Sequence, residues 1–269
     1  ARPRGKWLDV RWSDVVDQLI GRPEALPVCP GTDITGEPFI FDLAETPHLF
    51  VAGATGSGKS VCLNAILLSL LVAERTPDLV LIDPKGLDFT DYEGSHALRE
   101  GRVVTDMEEG VTVLRDLVSE MDGRSGILRD YGARNIAEAQ AAGATLNRGV
   151  VVIDELADFL LSKSGAEEPL VRLAQKARAT GIHLVLATQR PEAATFPGLL
   201  RANIPSRIAL TVQKASDSRI ILDEGGAEDL LMRGDMLVRL AGRDTKRVHG
   251  VRVERADISR IITSTGLAR

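Results

Sequence analysis

Residues 48–60 read HLFVAGATGSGKS, and this stretch decides the fold. It begins with a continuous apolar run at residues 49–52, and an apolar-rich segment follows it at residues 61–68. Between the two, Gly53, Gly58, Lys59 and Ser60 fill the required positions of the pattern GxxxxGK[ST]. The pattern predicts the strand, glycine-rich loop and helix of a nucleotide-binding P-loop. A chance glycine-rich turn is the alternative, but it does not explain the strand and helix signals on both sides.

The chemistry of phosphate binding explains why these residue types are needed. Glycine lets backbone N–H groups point inward at a phosphate, where a Cβ would obstruct them. The helix that follows adds the positive end of its dipole. We expect Lys59 to reach the β- and γ-phosphates and Ser60 to place its hydroxyl on Mg²⁺. The predicted ATP-binding residues are Gly53, Ala54, Thr55, Gly56, Ser57, Gly58, Lys59 and Ser60.

A second apolar run, at residues 150–153, ends in two adjacent acids, Asp154 and Glu155. In a P-loop NTPase we expect Asp154 to hold Mg²⁺ and Glu155 to orient and activate the attacking water. The alternative is a strand that simply ends in a polar, helix-capping pair. The P-loop upstream favours the catalytic interpretation, and the paired acids favour hydrolysis over transfer to a second small molecule.

A third apolar run, at residues 184–187, is followed by the sequence TQRP. We expect Gln189 to hydrogen-bond the γ-phosphate or its water, although an ordinary strand end has the same appearance. The helical segment at residues 173–181 directs Lys176 and Arg178 towards solvent. Such residues usually interact only with the helix dipole. A ring ATPase, however, needs an arginine that reaches the γ-phosphate of the next subunit, and we favour Arg178 for that role.

From residue 47 onward, apolar runs alternate with helical segments. Continuous apolar runs are typical of strands that are covered on both faces. We therefore predict an α/β fold with a mostly parallel, doubly wound sheet, in one domain over residues 47–269. The runs lie at residues 49–52, 79–82, 102–105, 150–153, 182–187, 208–212 and 236–240.

Residues 1–46 are predicted to form a small α/β extension, the remnant of an adaptor subdomain. A partial helical stripe of apolar residues is formed by Trp7, Val10, Val15, Val16 and Leu19. Residues 26–29 and 37–41 are typical of short strands around a turn-rich middle. We expect a helix and a hairpin that pairs or packs beside the P-loop strand.

Composition indicates a soluble globular protein, with 44% hydrophobic and 26% charged residues. The net charge of −5 gives no sign of a generally basic, nucleic-acid-binding surface. The two cysteines, Cys29 and Cys62, lack metal-ligand spacing and suit a reducing compartment. No run approaches the length of a membrane span. We expect a cytoplasmic location, including that of the cytoplasmic part of a longer membrane-anchored protein.

Further segments carry a resemblance to a known family. Together with the P-loop stretch, residues 173–191 (LAQKARATGIHLVLATQRP) resemble the FtsK/SpoIIIE family of DNA translocases. The other matching segments are LIDPKGLDF at 81–89, RANIPSRIALTV at 201–212, DSRIILDEGGAEDLL at 217–231 and GDML at 234–237. They occur in collinear order over residues 26–253. The P-loop alone is shared by many NTPases, whereas the later segments are more specific.

The resemblance implies a RecA-like motor domain that assembles as a hexamer around double-stranded DNA, with ATP and Mg²⁺ at the subunit interfaces. Carried over by position, Lys59 and Ser60 serve the phosphates and Mg²⁺, while Asp154 and Glu155 drive hydrolysis. Arg178 corresponds to the arginine supplied in trans.

The resemblance also implies that basic residues face the central channel, at Arg190, Arg201 and Arg219. Contacts to phosphates position a duplex without reading its sequence. A few arginines per subunit, repeated around a ring, concentrate positive field in the channel and reconcile DNA binding with an acidic chain. A surface ion pair is the alternative for each arginine, and nucleotide contact is a further one for Arg219.

The sequence DGRSG at residues 122–126 departs from the family pattern. A glycine within a helix costs about 1 kcal/mol relative to alanine, so we expect the helix to bend or split at Gly123 and Gly126.

The leading hypothesis is an ATP-driven translocase of chromosome or plasmid DNA, with membrane contact only through regions absent from this chain. The rival is a secretion or conjugation coupling ATPase that moves protein or nucleoprotein. A third hypothesis is a regulatory or structural member that binds ATP without translocating anything, and the presence of Lys59, Asp154 and Glu155 argues against it.

Overall fold

The computed structural model describes residues 9–73, 76–162 and 164–266. Its centre is an eight-stranded sheet with the strand order β2-β10-β9-β8-β4-β7-β6-β5. The strands are β1 (Pro27–Val28), β2 (Gly31–Asp33), β3 (Phe41–Asp42), β4 (His48–Ala52), β5 (Asp78–Ile82), β6 (Gly149–Ile153), β7 (Ile182–Thr188), β8 (Ser206–Leu210), β9 (Asp235–Arg239) and β10 (Lys246–Gly250). The small strands β1 and β3 form a separate two-stranded sheet.

Strands β5, β6, β7, β4 and β8 are parallel, and β9, β10 and β2 continue the sheet in antiparallel pairing. Side chains alternate between the two faces of each strand. In β4, Leu49 and Val51 join one core cluster, whereas Phe50 and Ala52 join the cluster on the other face. The sheet is therefore buried on both sides, and the prediction of a mostly parallel, doubly wound α/β fold is confirmed.

Helices cover both faces of the sheet. They are α1 (Lys59–Leu71), α2 (Met107–Asp130), α3 (Ile136–Ala141), α4 (Leu156–Leu161), α5 (Glu167–Lys176), α6 (Gly198–Asn203), α7 (Ala215–Leu222) and α8 (Arg255–Ser264). Buried apolar residues of α1 and α8 belong to one core cluster, and most of those of α2, α4, α5, α6 and α7 belong to the other. Within the described ranges, no helix is both long enough and apolar enough to span a membrane.

Within residues 102–126 the structure contradicts a predicted strand and a predicted split of a helix. Residues 102–105 do not form a strand, since they contribute only an isolated bridge between Val104 and Ile82. Helix α2 continues without a break through both glycines. Arg124, which lies between them, donates to the carbonyl oxygens of Asn147 at 2.7 Å and Thr180 at 3.0 Å. These tertiary contacts hold the glycine-containing turns of α2 against the loops that precede β6 and β7.

The N-terminal segment differs in detail from the prediction. Trp7 lies outside the described residues, and the expected helix is replaced by two 3-10 turns, Trp12–Asp14 and Val16–Gln18. Strands β1 and β3 pair antiparallel as a hairpin would. They pack on the P-loop helix α1, where the backbone N–H of Cys29 donates to Ser69 Oγ at 3.1 Å. Strand β2 lies at the far edge of the large sheet, away from β4.

Candidate active site

The loop between β4 and α1 has the backbone conformation that its glycines permit. Gly56 and Gly58 have φ values of +78° and +104°, which side chains other than glycine's rarely adopt. A Cβ on Gly58 would lie 2.8 Å from the backbone nitrogen of Gly234. That nitrogen donates to Ser57 O at 2.8 Å. The loop is thus held against the segment that precedes β9, and glycine is required at position 58 for both reasons.

Lys59 and Asp154 meet where β4 and β6 end. Both side chains are buried, and they form an ion pair. Lys59 Nζ also donates to the backbone oxygen of Asp154 at 3.1 Å. Burial raises the pKa of the Asp154 carboxyl to about 6, although the positive charge of Lys59 opposes the shift, and the nearby Asp88 adds to it. The charge of Lys59, the first residue of α1, therefore directly stabilises the carboxylate of Asp154, the first acid after β6.

The oxygen atoms beside this ion pair fit a magnesium ion. Ser60 Oγ donates to Asp88 Oδ2 at 3.0 Å. Asp154 Oδ2 is buried and has no hydrogen-bond partner within the described part of the chain. Carboxylate and hydroxyl oxygens are the hard ligands that Mg²⁺ prefers. Ser60 and Asp154 are the residues that could hold the ion, with Asp88 next to them.

Glu155 is held by three donors and is almost fully buried. Thr188 Oγ1 donates to Oε1 at 2.5 Å, and the backbone N–H of Gln189 lies 3.3 Å from both carboxylate oxygens. The Lys85 ammonium donates to Oε2 at 3.2 Å. The carboxylate is therefore fixed by residues at or just after the carboxyl ends of β5 and β7, the strands on either side of β6.

Gln189 connects Glu155 to the P-loop. Its Oε1 accepts a hydrogen bond from Thr55 Oγ1 at 2.8 Å, while its backbone contacts Glu155. The structure thus brings together the predicted residues of three strand ends: Lys59 and Ser60 after β4, Asp154 and Glu155 after β6, and Gln189 after β7. In α/β proteins, ligands bind at the carboxyl ends of the parallel strands, which is where these residues meet.

A further strand end belongs to the site, although no role of its residues is predicted from the sequence. Asp83 follows β5 and is fully buried. Its carboxylate accepts hydrogen bonds from the backbone N–H groups of Lys85, Gly86, Leu87, Asp88 and Phe89. This turn places Lys85 in contact with Glu155 and Asp88 in contact with Ser60. An acid directly after an apolar strand, followed by PKG, is the signal that could have identified it.

A pocket of about 570 Å³ extends from the P-loop towards the start of β9 and the end of β10. Its volume is typical of small-ligand sites and leaves room for a nucleoside beside the phosphate loop. Away from the P-loop it is lined by Asp9, Val10, Arg233, Met236, His249 and Arg252.

The predicted arginines lie outside this cluster. Arg178 is exposed near the amino end of the parallel strands, where it donates to Glu45 O at 3.4 Å. The five residues of β4 span about 17 Å, so Arg178 is remote from the P-loop of its own chain. Arg190 follows the carboxyl end of β7, and Arg201 and Arg219 lie on α6 and α7. Arg190 thus lies in a loop, whereas Arg201 and Arg219 lie on two helices whose buried residues belong to the same core cluster.

Comparisons with known proteins agree with this architecture. A model of the FtsK/SpoIIIE family matches residues 17–193. DNA translocase FtsK of Pseudomonas aeruginosa is 44% identical over 94% of this chain and 35% of that protein. DNA translocase FtsK of Bacillus cereus is 43% identical over 89% of this chain and 32% of that protein. The chain thus spans about a third of the length of these curated relatives.

Two solved structures are similar over nearly the whole chain. The conjugation coupling protein TcpA of pCW3, solved with ATPγS, has a TM-score of 0.83 at 30% identity and covers 95% of this chain and 73% of that one. The type VII secretion ATPase EccC of Thermomonospora curvata has a TM-score of 0.79 at 27% identity and covers 92% of this chain and 32% of that one. The extent of the family match and the identity to the two FtsK proteins show that the chain belongs to the FtsK/SpoIIIE family.

Proposed function

We propose that this chain is the ATP-hydrolysing motor of a double-stranded DNA translocase that works as a hexameric ring on the cytoplasmic side of the membrane. The observation that carries the proposal is the position of Glu155, which lies next to the Lys59–Asp154 pair and is fixed by donors on both sides. A buried, immobilised carboxylate beside a phosphate-binding loop suits the activation of water. The relatives named DNA translocase FtsK support duplex DNA as the substrate.

Each residue of the cluster has a defined task in this proposal. Lys59 binds the β- and γ-phosphates, and Ser60 and Asp154 hold Mg²⁺, which neutralises charge on the phosphates. Glu155 orients the water and accepts its proton as oxygen attacks the γ-phosphorus. Gln189, which links Thr55 to Glu155, contacts the γ-phosphate or the attacking water and responds when that phosphate leaves.

Coupling to DNA requires groups outside the ATP site. Arg190 and Arg219 are exposed and Arg201 is partly exposed, so all three can contact phosphates of the duplex. Repetition around a ring would concentrate their charge in spite of the net charge of −5. Arg178, remote from its own P-loop, is available to reach the nucleotide of an adjacent subunit.

The test is the rate of ATP hydrolysis at low salt, with and without long linear duplex DNA, at protein concentrations that permit assembly. We expect strong stimulation by duplex and little by single strands. The Arg190→Ala/Arg201→Ala variant should lose the stimulation, whereas Arg134→Ala, at an exposed position on the loop before α3, should keep it. Glu155→Gln should bind ATP and hydrolyse it at no more than a small residual rate. Normal hydrolysis by Glu155→Gln would contradict the catalytic assignment.

A second function is favoured by the close structural similarity to a conjugation coupling protein. Such a motor would move protein or nucleoprotein and would share the ATP site described above. Robust hydrolysis that is indifferent to duplex DNA, and unchanged in Arg190→Ala/Arg201→Ala, would support this function over DNA translocation.

A further inference from the structure

Lys85 makes an ion pair with Glu155 that the ATP-site motifs do not include. Its Nζ lies 3.2 Å from Glu155 Oε2. The lysine side chain is 40% exposed, whereas the glutamate side chain is 2% exposed. The Lys85 side chain therefore extends from the surface to the buried carboxylate of Glu155.

The segment that carries Lys85 is unusually well fixed. The buried Asp83 carboxylate accepts the backbone N–H of Lys85 at 3.1 Å and those of the four residues that follow. Exposed ion pairs usually contribute little, because two mobile side chains must be ordered. Here one partner is buried and the backbone of the other is fixed, so much of that ordering is already supplied by the fold.

The sheet order places the donors on opposite sides of Glu155. Strand β6, which Glu155 follows, lies between β5 and β7. Thr188 and the N–H of Gln189 approach from the β7 side, and Lys85 approaches from the β5 side. Both donors on the β7 side are neutral. Loss of Lys85 would release Oε2 on one side and leave the buried carboxylate without this positive charge.

We propose that Lys85 is a positioning residue for ATP hydrolysis, holding the Glu155 carboxylate in the orientation in which it activates water. The inference rests on the proposed function of Glu155. Lys85 exchanges no proton in the step: the water proton passes to Glu155, the water oxygen bonds to the γ-phosphorus, and the bond to the β–γ bridging oxygen breaks. A displacement of about 1 Å in such a group can cost about a hundredfold in rate.

The experiment compares kcat and ATP affinity in Lys85→Met, Lys85→Arg and the control Lys246→Met. Lys246 is an exposed lysine at the start of β10. We expect Lys85→Met to lower kcat by about 10- to 100-fold while the Kd for ATP, measured by calorimetry, changes less than about twofold. Lys85→Arg should restore most of the rate, because it keeps the positive charge. Lys246→Met should match the wild-type chain.

A combined variant separates positioning from an independent effect. Since Glu155→Gln already removes the base, addition of Lys85→Met should lower the residual rate no further. A second loss as large as in the single variant would overturn the proposal, as would a normal kcat in Lys85→Met or an Arg variant as slow as the Met variant. If Lys85→Met does not fold, Lys85→Gln replaces it with the same expectations. A wild-type chain that hydrolyses no ATP would instead overturn the proposed function, and with it this role.

Discussion

Lys59 and Asp154 form an ion pair in which both side chains are nearly inaccessible to solvent, at 3% and 1% exposure. Lys59 Nζ donates in addition to the backbone oxygen of Asp154 at 3.1 Å. Burial of two charges costs solvation free energy that their attraction only partly offsets, and removal of one partner leaves the other uncompensated. The lysine that is expected to bind phosphate is thus also the charge partner of the expected Mg²⁺ ligand.

This pairing predicts that Lys59→Met destabilises the fold as well as abolishing ATP binding. Removal of one partner from a buried ion pair typically costs about 3 kcal/mol in the free energy of unfolding. Lys59→Met/Asp154→Asn should regain most of that loss, because no buried charge is then left unpaired, yet it should still not bind ATP. Urea unfolding and nucleotide titration measure the two effects. Equal stability of the single and double variants would show that the pair is not coupled.

Gly58→Ala should disrupt the P-loop through its backbone. The residue has a φ of +104°, and a Cβ would meet Gly234 N at 2.8 Å. A left-handed conformation alone costs a residue with a Cβ about 1 to 2 kcal/mol. We expect a loss of about 2 kcal/mol or more in unfolding free energy, together with weaker ATP binding. An alanine variant that binds ATP normally would argue against this close approach.

Gly123→Ala should have the opposite effect on stability. The glycine lies inside the continuous helix α2, and a Cβ there would meet nothing within 4 Å. Alanine is favoured over glycine in a helix interior by about 1 kcal/mol, so the unfolding free energy should rise by about that amount. Urea unfolding beside Gly58→Ala provides the comparison. A decrease would indicate that α2 needs the flexibility of glycine at this position.

The contrast between these glycines shows which features could be predicted from the sequence. The P-loop and the acids after β6 are local patterns, in which each residue type follows from what phosphate or Mg²⁺ requires. In the continuous helix α2, by contrast, Arg124 lies between the two glycines and bonds to carbonyl oxygens 23 and 56 residues away in the chain. Such partners have no signature in the sequence near residue 124.

The contacts made by the residues after β5 are likewise not predictable from the sequence nearby. Lys85 and Asp88 contact Glu155 and Ser60 only because β5 is next to β6 in the sheet and Asp83 closes the turn. The strand order of a doubly wound sheet cannot be read from apolar runs alone. The N-terminal turns differ from the predicted helix for a related reason. Trp12 and Val15 are buried against the core that includes α1, and this packing does not require an α-helix.

Two buried histidines predict how stability depends on pH. His48 Nδ1 accepts the backbone N–H of Leu184 at 3.0 Å, and His183 Nδ1 lies 3.1 Å from Pro47 O and donates to it. Burial lowers the pKa of His48 to about 3, with contributions from His183 and Arg178. Burial also lowers the pKa of His183 to about 4, although its hydrogen bond to Pro47 opposes the shift. Both rings are therefore neutral in the folded chain at neutral pH.

In the unfolded chain the same rings titrate near a pKa of about 6.5, so acid favours unfolding. Their contribution to stability is complete above about pH 6.5 and is lost as the pH falls towards the folded values. Together the two histidines should cost about 2 to 3 kcal/mol between about pH 7 and about pH 5.5. His48→Asn/His183→Asn removes the ionisation while an amide oxygen and an amide N–H can replace the two Nδ1 hydrogen bonds. Urea unfolding at both pH values should show a smaller loss in this variant, and an equal loss would assign the acid sensitivity to other groups.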